Sequence, residues 1–514
     1  MKKNVRLFMA ALVVAAFPAC ALAAFYSGGL GTAAAPYRIS VVADWKLLMS
    51  TPADWNKYFI LTADIDLIGV GLVPVGNHEN VFTGKFNGNG FILRNTVVNL
   101  PSADYVGVFG YVDSPAWIVN LAVMNLDVKG YGYVGGLVGE CSGNISGCSI
   151  SGAVTGSRQY VGGLIGTNWG VISDCSFSGS VTGSDWNIGG LVGQNYGAVM
   201  SSHANSTVTG WFEIGGLLGD NMGPVTSCSA AGSVVATRDF IGGLIGANHR
   251  GDITSCYATA SVVGRSSVGG LVGTTSNDRI TSCSATGDVS GYNSVGGLIG
   301  SNSGDVSFSF ATGSITGADG VGGLAGGNGG SITSCYHTTG LVTGTHYDSG
   351  GLVGANGGRI AVSYSTGIVN GLSRVGGLVG STGSDSVVTS SYATGSVTAT
   401  DSLAGGLVGD NSGDVVSCYA TGPVTETGNI SSAAGGMVGY NSGSVTVSFS
   451  TGAITGKTDA AGFVGKNTGA VTSCFTSGPV VATMWYNGGF VGENTGTVSA
   501  CYSTGSVNGV MFIG

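Results

Sequence analysis

Side chains able to do acid–base, metal or redox chemistry are few in this sequence and widely spaced. Only 9% of the 514 residues are charged, beside five histidines and eleven cysteines. Asp252, Asp305 and Asp414 share one position of a repeating unit but fall in different units, so no carboxylate pair at the separation of a glycosidase is implied. His78, His203, His249, His337 and His346 share no position. His337 and His346 flank a longer unit that holds Asp348, the one local group of titratable side chains, for which a solvated corner is the simpler account. Asp64 and Asp66 are of the type that binds calcium, yet they read as polar caps of a first coil. The pattern calls for no cofactor, no metal and no catalytic residue, and recognition is the chemistry left. Variable segments before each Gly-Gly pair carry aromatics with polar neighbours, a combination that suits sugar stacking or protein contact. Tyr160, Trp186, Trp211, Phe240, Tyr347, Trp485 and Tyr486 are the candidate ligand-binding residues. A second rank (Tyr257, Phe310, Tyr336, Tyr364, Tyr392, Tyr419, Phe449, Phe475 and Tyr502) directly follows a Cys/Ser position and is expected to point outward, stacking for stability.

The elements that must position these residues follow from self-similarity. A Gly-Gly-Leu-Val-Gly phrase recurs fourteen times, with apolar centres from Leu137, Leu164 and Leu191 through to Met437, Phe463 and Phe490, spaced 26 to 30 residues apart. A Cys or Ser lies 11 to 13 residues after each centre, and an aliphatic such as Val154, Val181 or Val208 six residues beyond that. An even offset puts both on one face of an extended strand, and the β-branched and glycine content disfavours helix. About 27 residues at about 3.3 Å each make a circuit of roughly 90 Å, room for three short strands and three corners. The expectation is an all-β parallel β-helix, or β-solenoid, of 14 to 15 coils with an N-terminal cap. Stacked at about 4.8 Å per coil, the fourteen coils make a rod roughly 65 Å long.

Asparagine stands four residues after the centre in eleven coils, among them Asn168, Asn195, Asn221 and Asn248; it suits a corner whose amides bond from coil to coil. Nine cysteines occupy the one repeating Cys/Ser position, where neighbours about 4.8 Å apart are too distant for a bridge. They read as buried free thiols filling space, interchangeable with Ser, and a Cys141–Cys148 bridge is the one exception left open.

Composition supports this reading. The 96 glycines do not follow a collagen triplet, and a chain 43% hydrophobic is not a disordered one. The net charge of −9 argues against nucleic acid as a partner. Residues 1–23 have the basic start, apolar run and Ala21-Leu22-Ala23 ending of a secretory signal peptide, cleaved after Ala23; no membrane span follows in the mature part. Residues 24–130, which hold Trp45, Trp55 and Trp117, read as a capping module with the first degenerate coils, and a short helix over Val42–Met49 is expected to cover the exposed end. Residues 131–514 are the repeat array, and Val507 to Gly514 breaks off inside a fifteenth coil, where the chain is truncated or its edge docks against something else.

The phrase Gly162-Gly163-Leu164-Ile165-Gly166, followed by Cys175 and Gly179-Ser180-Val181-Thr182-Gly183, resembles the GLUG-motif repeat of bacterial cell-surface proteins. Pro36-Tyr37-Arg38-Ile39, Asp64-Ile65-Asp66-Leu67 and Phe82-Thr83-Gly84-Lys85-Phe86-Asn87-Gly88 resemble the module that commonly precedes such repeats. The resemblance implies a right-handed coil and an exported, adhesin-like protein. The motif also occurs in bacterial immunoglobulin A peptidases, but their His-Glu-x-x-His zinc motif is absent here. The functional expectation is a secreted or cell-surface repeat protein that binds a glycan or a host or cell-surface protein, or serves as a stalk. A carbohydrate-active β-helix enzyme is the alternative. Ice binding is a minor one, since the Thr rank of Thr259, Thr286, Thr312 and Thr366 lacks a regular second rank beside it.

Overall fold

The computed structural model describes residues 25–428 and 432–510. The signal segment, Cys20 and the last four residues of the C-terminal run lie outside the described residues. The chain forms an all-β parallel solenoid of coils about 27 residues long. In one coil the strands are Val134–Gly135, Val138–Cys141, Asn144–Ser146 and Ser149–Gly156. Each pairs in parallel with its counterpart one repeat later: Val161–Gly162, Ile165–Asn168, Ile172–Ser173 and Ser176–Gly183.

Each coil thus feeds four ladders where three strands were expected. The cause is the Gly-Gly pair. A Cβ on Gly135 would stand 2.0 Å from the Val138 carbonyl oxygen, and one on Gly136 would stand 2.2 Å from that of Gly163. Without side chains the backbone bends tightly between Val134 and Val138, splitting one arm into two short strands and turning Leu137 into the core. Leu137, Leu164, Leu191 and their equivalents through Phe463 are fully buried. The even-offset prediction also holds, since Cys175 and Val181 are both fully buried.

Three kinds of corner close each coil. At the first, where one corner Asn follows another, the side-chain amide donates to the Asn of the next coil, as from Asn168 to Asn195 at 2.8 Å and from Asn328 to Asn356 at 2.7 Å. The same amide also donates to the carbonyl two residues on, as Asn195 does to Gly197 at 2.7 Å. At the second corner the residue before the Cys/Ser position adopts left-handed angles: Asp174, Ser201, Ser227, Ser255 and Ser282 all have φ between 49° and 55°. The Cys/Ser side chain then does two tasks. Ser202 Oγ accepts the backbone N–H of Cys175 at 3.1 Å and donates to the Met200 carbonyl at 2.8 Å; Cys256 Sγ accepts from Cys228 N at 3.4 Å and donates to Thr254 O at 3.3 Å. The thiols are therefore corner hydrogen-bonding groups as well as the fillers expected, which is why Ser replaces them. All ten described cysteines are free, Cys141 and Cys148 included.

The third corner precedes each Val-Gly-Gly. Here too a residue takes left-handed angles, in turn Tyr133, Tyr160, Asn187, Glu213, Phe240 and Ser267. The ladder that holds Asn144–Ser146 counts eighteen strands and begins at Tyr37–Ile39, so coils run back through Tyr58–Leu61, Lys85–Asn87 and Trp117–Val119. A helix over Val42–Ser50 lies at this end. Asp44 in its first turn accepts the backbone N–H groups of Ser40 and Val41, and Trp45 packs edge-on against Phe86 and Phe109.

Candidate functional site: an aromatic corner along the rod

The seven candidate residues gather at the third corner, in three adjacent positions. Tyr160, Phe240 and Tyr486 occupy the left-handed position itself. Trp186, Tyr347 and Trp485 stand one residue earlier, where Trp186 pairs with Phe212 and Tyr347 with Ser373. Trp211 is one residue earlier again. Trp186 and Trp211 are each 44% exposed and Tyr347 51%, while Tyr160 and Phe240 are half-buried. They do not form one patch. Tyr160 to Phe240 span four consecutive coils, with Phe212 against Phe240 at 5.1 Å and the Arg238 guanidinium 5.5 Å above Trp211. Tyr347 lies four coils past Phe240 and carries Arg374 at 5.0 Å over its ring. Trp485 and Tyr486 lie at the far end, lining a cavity of about 220 Å³ with Asp459, Lys466 and Glu493.

The corner adjoins an outward rank on the Val138–Cys141 ladder, Glu140, Thr167, Gln194 and Asp220 in successive coils. Side chains from the two ranks meet. Glu213 Oε1 and Asp220 Oδ1 lie 3.9 and 3.7 Å from His249 Nε2. Burial lifts the Asp220 carboxyl above the usual range, and the facing Glu213 lifts His249. Asp348 pairs with Arg374 at 3.0 Å, and burial raises Asp348 and Asp410 alike.

The expected group of His337, His346 and Asp348 is not brought together. His337 is wholly buried in the core, its Nε2 3.4 Å from the Gly313 carbonyl, while His346 faces Asp319 at 3.6 Å on the surface. His337 stands two residues after Cys335, an even offset that points it inward. Asp252 accepts the backbone N–H of Arg279 at 3.1 Å, a corner bond in place of chemistry. Asp64 pairs with Arg94 at 3.0 Å and Asp66 accepts from Asn95 at 2.8 Å, so both tie early coils together. Among the described residues no group of three or more His, Cys, Asp or Glu side chains is arranged to hold a metal ion.

Sequence reasoning missed two aromatic groups. His78 lies 4.2 Å from Tyr105 and 4.7 Å from Tyr111, Tyr105 stacks on Tyr133 at 4.6 Å, and Tyr133 meets Tyr160 at 4.8 Å. The signal was present in Tyr105-Val106-Gly107, Tyr133-Val134-Gly135 and Tyr160-Val161-Gly162, one phrase at the period of the repeat. Trp169 and Tyr196, each just after a corner Asn, stack at 3.8 Å with planes 2° apart. The second rank behaves differently from the corner. From Phe310 to Tyr502 eight rings stack face to face at 4.7 to 5.5 Å, within 9° of parallel, so the six inner rings have both faces taken by neighbours and the two end rings one.

Five segments of the chain, 157–182, 184–214, 241–263, 264–290 and 371–398, match the model of the GLUG motif. The protein is thus a repeat solenoid that carries multiple GLUG motifs and exposes aromatic residues along a corner. It is 34% identical over 151 residues to halomucin of Haloquadratum walsbyi, which covers 27% of this chain and 2% of halomucin. It is 35% identical over 134 residues to a provisionally named Gly-rich membrane protein of Evansella cellulosilytica, covering 24% of this chain and 15% of that protein. The chain spans only a small part of the length of these relatives. The solved structure of a provisionally assigned immunoglobulin A1 protease from Bacteroides ovatus aligns with 51% of this chain and 78% of that chain at 19% identity and a TM-score of 0.34. No helix among the described residues is long and apolar enough to cross a membrane.

Proposed function

We propose that this is an exported, adhesin-like rod that binds glycan or cell-surface protein through the aromatic corner before each Gly-Gly pair. The signal-peptide pattern of residues 1–23 supports export to the cell surface or the medium. In this reading residues 24–130 cap the rod and residues 131–514 present the edge. The observation that carries the proposal is the contrast between two aromatic ranks. The inner rings of the stack, Tyr336 to Phe475, spend both faces on neighbouring rings, whereas Trp186 and Trp485 at the corner stand 44% and 39% exposed. An open ring face is what a sugar or a partner side chain packs against.

The test is an array of glycans and host or cell-surface proteins probed with the mature chain and with a variant carrying Ser at Trp186, Trp211, Trp485 and Tyr486. Circular dichroism verifies that both are folded. Specific binding lost in the folded variant supports the edge as the binding surface. Binding unchanged by the four substitutions, or none by either protein, rejects it.

A further inference from the structure

The cavity at the C-terminal part of the corner has a definite origin in the register. The corner position is filled by Arg374, then in successive coils by Leu403, Ala433, Asp459 and Tyr486, and of these Arg374, Asp459 and Tyr486 take left-handed angles. Ala433 is the one small side chain in this run. Where it stands the wall recedes, and about 220 Å³ opens between Leu403 and Ala433 on one side and Asp459, Trp485 and Tyr486 on the other. That volume lies below the roughly 300–1,000 Å³ of clefts that take drug-sized ligands, and it suits one small ring.

The groups around it set the chemistry of what fits. Asp459 lines the cavity, and its Oδ1 is buried with no hydrogen-bond partner among the described residues, so the carboxylate keeps acceptor capacity that the fold does not use. Burial, with Glu493 nearby, pushes this carboxyl up to about 6. Lys466 pairs with Glu493 at 2.8 Å and supplies a donor at the rim. An anionic ligand would meet Asp459 and Glu493, and a cationic one would meet Lys466. A hydroxyl both donates and accepts, which matches a site that offers both roles, and the exposed Trp485 ring supplies an apolar face for C–H groups.

We propose that this cavity is a subsite for a single uncharged pyranose, the terminal sugar of a glycan, with Asp459 accepting from a ring hydroxyl and Trp485 packing on the ring. The proposal rests on the glycan reading of the corner and narrows it to one place and one class of sugar.

The experiment titrates the mature chain with neutral methyl glycosides of glucose, galactose, mannose and N-acetylglucosamine, beside glucuronate and glucosamine. Saturation-transfer NMR detects contact and calorimetry gives the affinity. At least one neutral glycoside is expected to bind, and Asp459→Ala and Trp485→Ala each to weaken it by about tenfold, the scale of one lost hydrogen bond or ring contact. Asp459→Asn, which keeps the shape, guards against misfolding and is expected to weaken binding less than Asp459→Ala. Tyr392→Ala, in the external ring stack away from the corner, is expected to leave it unchanged. A neutral sugar whose binding ignores Asp459 and Trp485 but falls with Tyr347→Ser, elsewhere on the corner, overturns the subsite and leaves the glycan edge standing. Preference for glucuronate or glucosamine overturns the uncharged class. No binding of any sugar here, with no glycan captured on the array, overturns both readings together.

Discussion

Asn195 donates its side-chain amide to Asn221 across one coil at 2.8 Å, while its own carbonyl oxygen accepts from Asn168 in the coil before. The ladder so formed is buried, and each member also closes its own corner. Asn195→Ala removes one rung and strands the Gly197 carbonyl with it. The expected cost is about 2 kcal/mol, measured as a lowered denaturation midpoint.

The converse substitution tests the same ladder from its defect. Thr275 stands in the Asn position, its hydroxyl buried without a partner among the described residues, and Asn248 reaches instead toward Asp278 at 3.5 Å. Thr275→Asn restores the rung between Asn248 and Asn302. A gain of about 1 kcal/mol is expected; a loss would show that the corner there has settled on the shorter side chain.

His337 brings pH dependence into the core. Burial lowers its pKa below the ordinary value near 6.5, so the folded state holds it neutral while the unfolded chain takes up a proton. Its contribution to stability is complete above about pH 6.5 and is lost as pH falls from there toward the folded pKa. Neighbouring coils carry Ala311 and Ser365 in the same position. His337→Ala is expected to flatten the fall in melting temperature between pH 7 and pH 5. An unchanged slope would assign that fall to other groups.

Thiol chemistry separates Cys501 from the other described cysteines. Nine of the ten described cysteines are buried and only Cys501 is partly exposed; burial pushes the Cys141 thiol up to about 12 and Cys335 and Cys418 up to about 11. Native mature protein is expected to react with a thiol reagent at Cys501 first and at the others only on unfolding. Mass spectrometry of partly labelled protein reads this directly.

The external ring stack is a stabilising element. Tyr392 lies 4.8 Å from Tyr364 and 4.7 Å from Tyr419 with near-parallel planes. Tyr392→Ala loses two ring contacts and is expected to cost about 2 kcal/mol. It is also expected to leave glycan and protein binding at the corner unchanged.

Much of this architecture was legible because the solenoid repeats its errors and successes at one period. Leu137 and its equivalents, the even offset from Cys175 to Val181 and the asparagine corner each recur often enough to reveal a face. The fourth ladder was hidden because glycine tells that a backbone approaches closely, without telling where the chain bends. The left-handed corner was harder still. Its position is filled by Tyr160, Asn187, Glu213, Phe240 and Arg374, so residue type carries no common signal and only the fixed distance to Gly-Gly does. The charged meetings of Glu213 and Asp220 with His249 join residues from different ranks. Such contacts depend on how adjoining ladders face each other, which a one-dimensional repeat does not state.

The hydrogen bonds between coils, such as Leu137 N to Leu164 O at 2.9 Å, run from each coil to the next along the stacking direction. Tension applied between the two chain ends therefore loads one coil's bonds at a time, like unwinding thread from a spool. Each release frees about 27 residues, or roughly 90 Å of extended chain. A rod of this design yields under load in even steps and keeps the remaining coils folded, so a tether built from it lengthens many times over before it lets go.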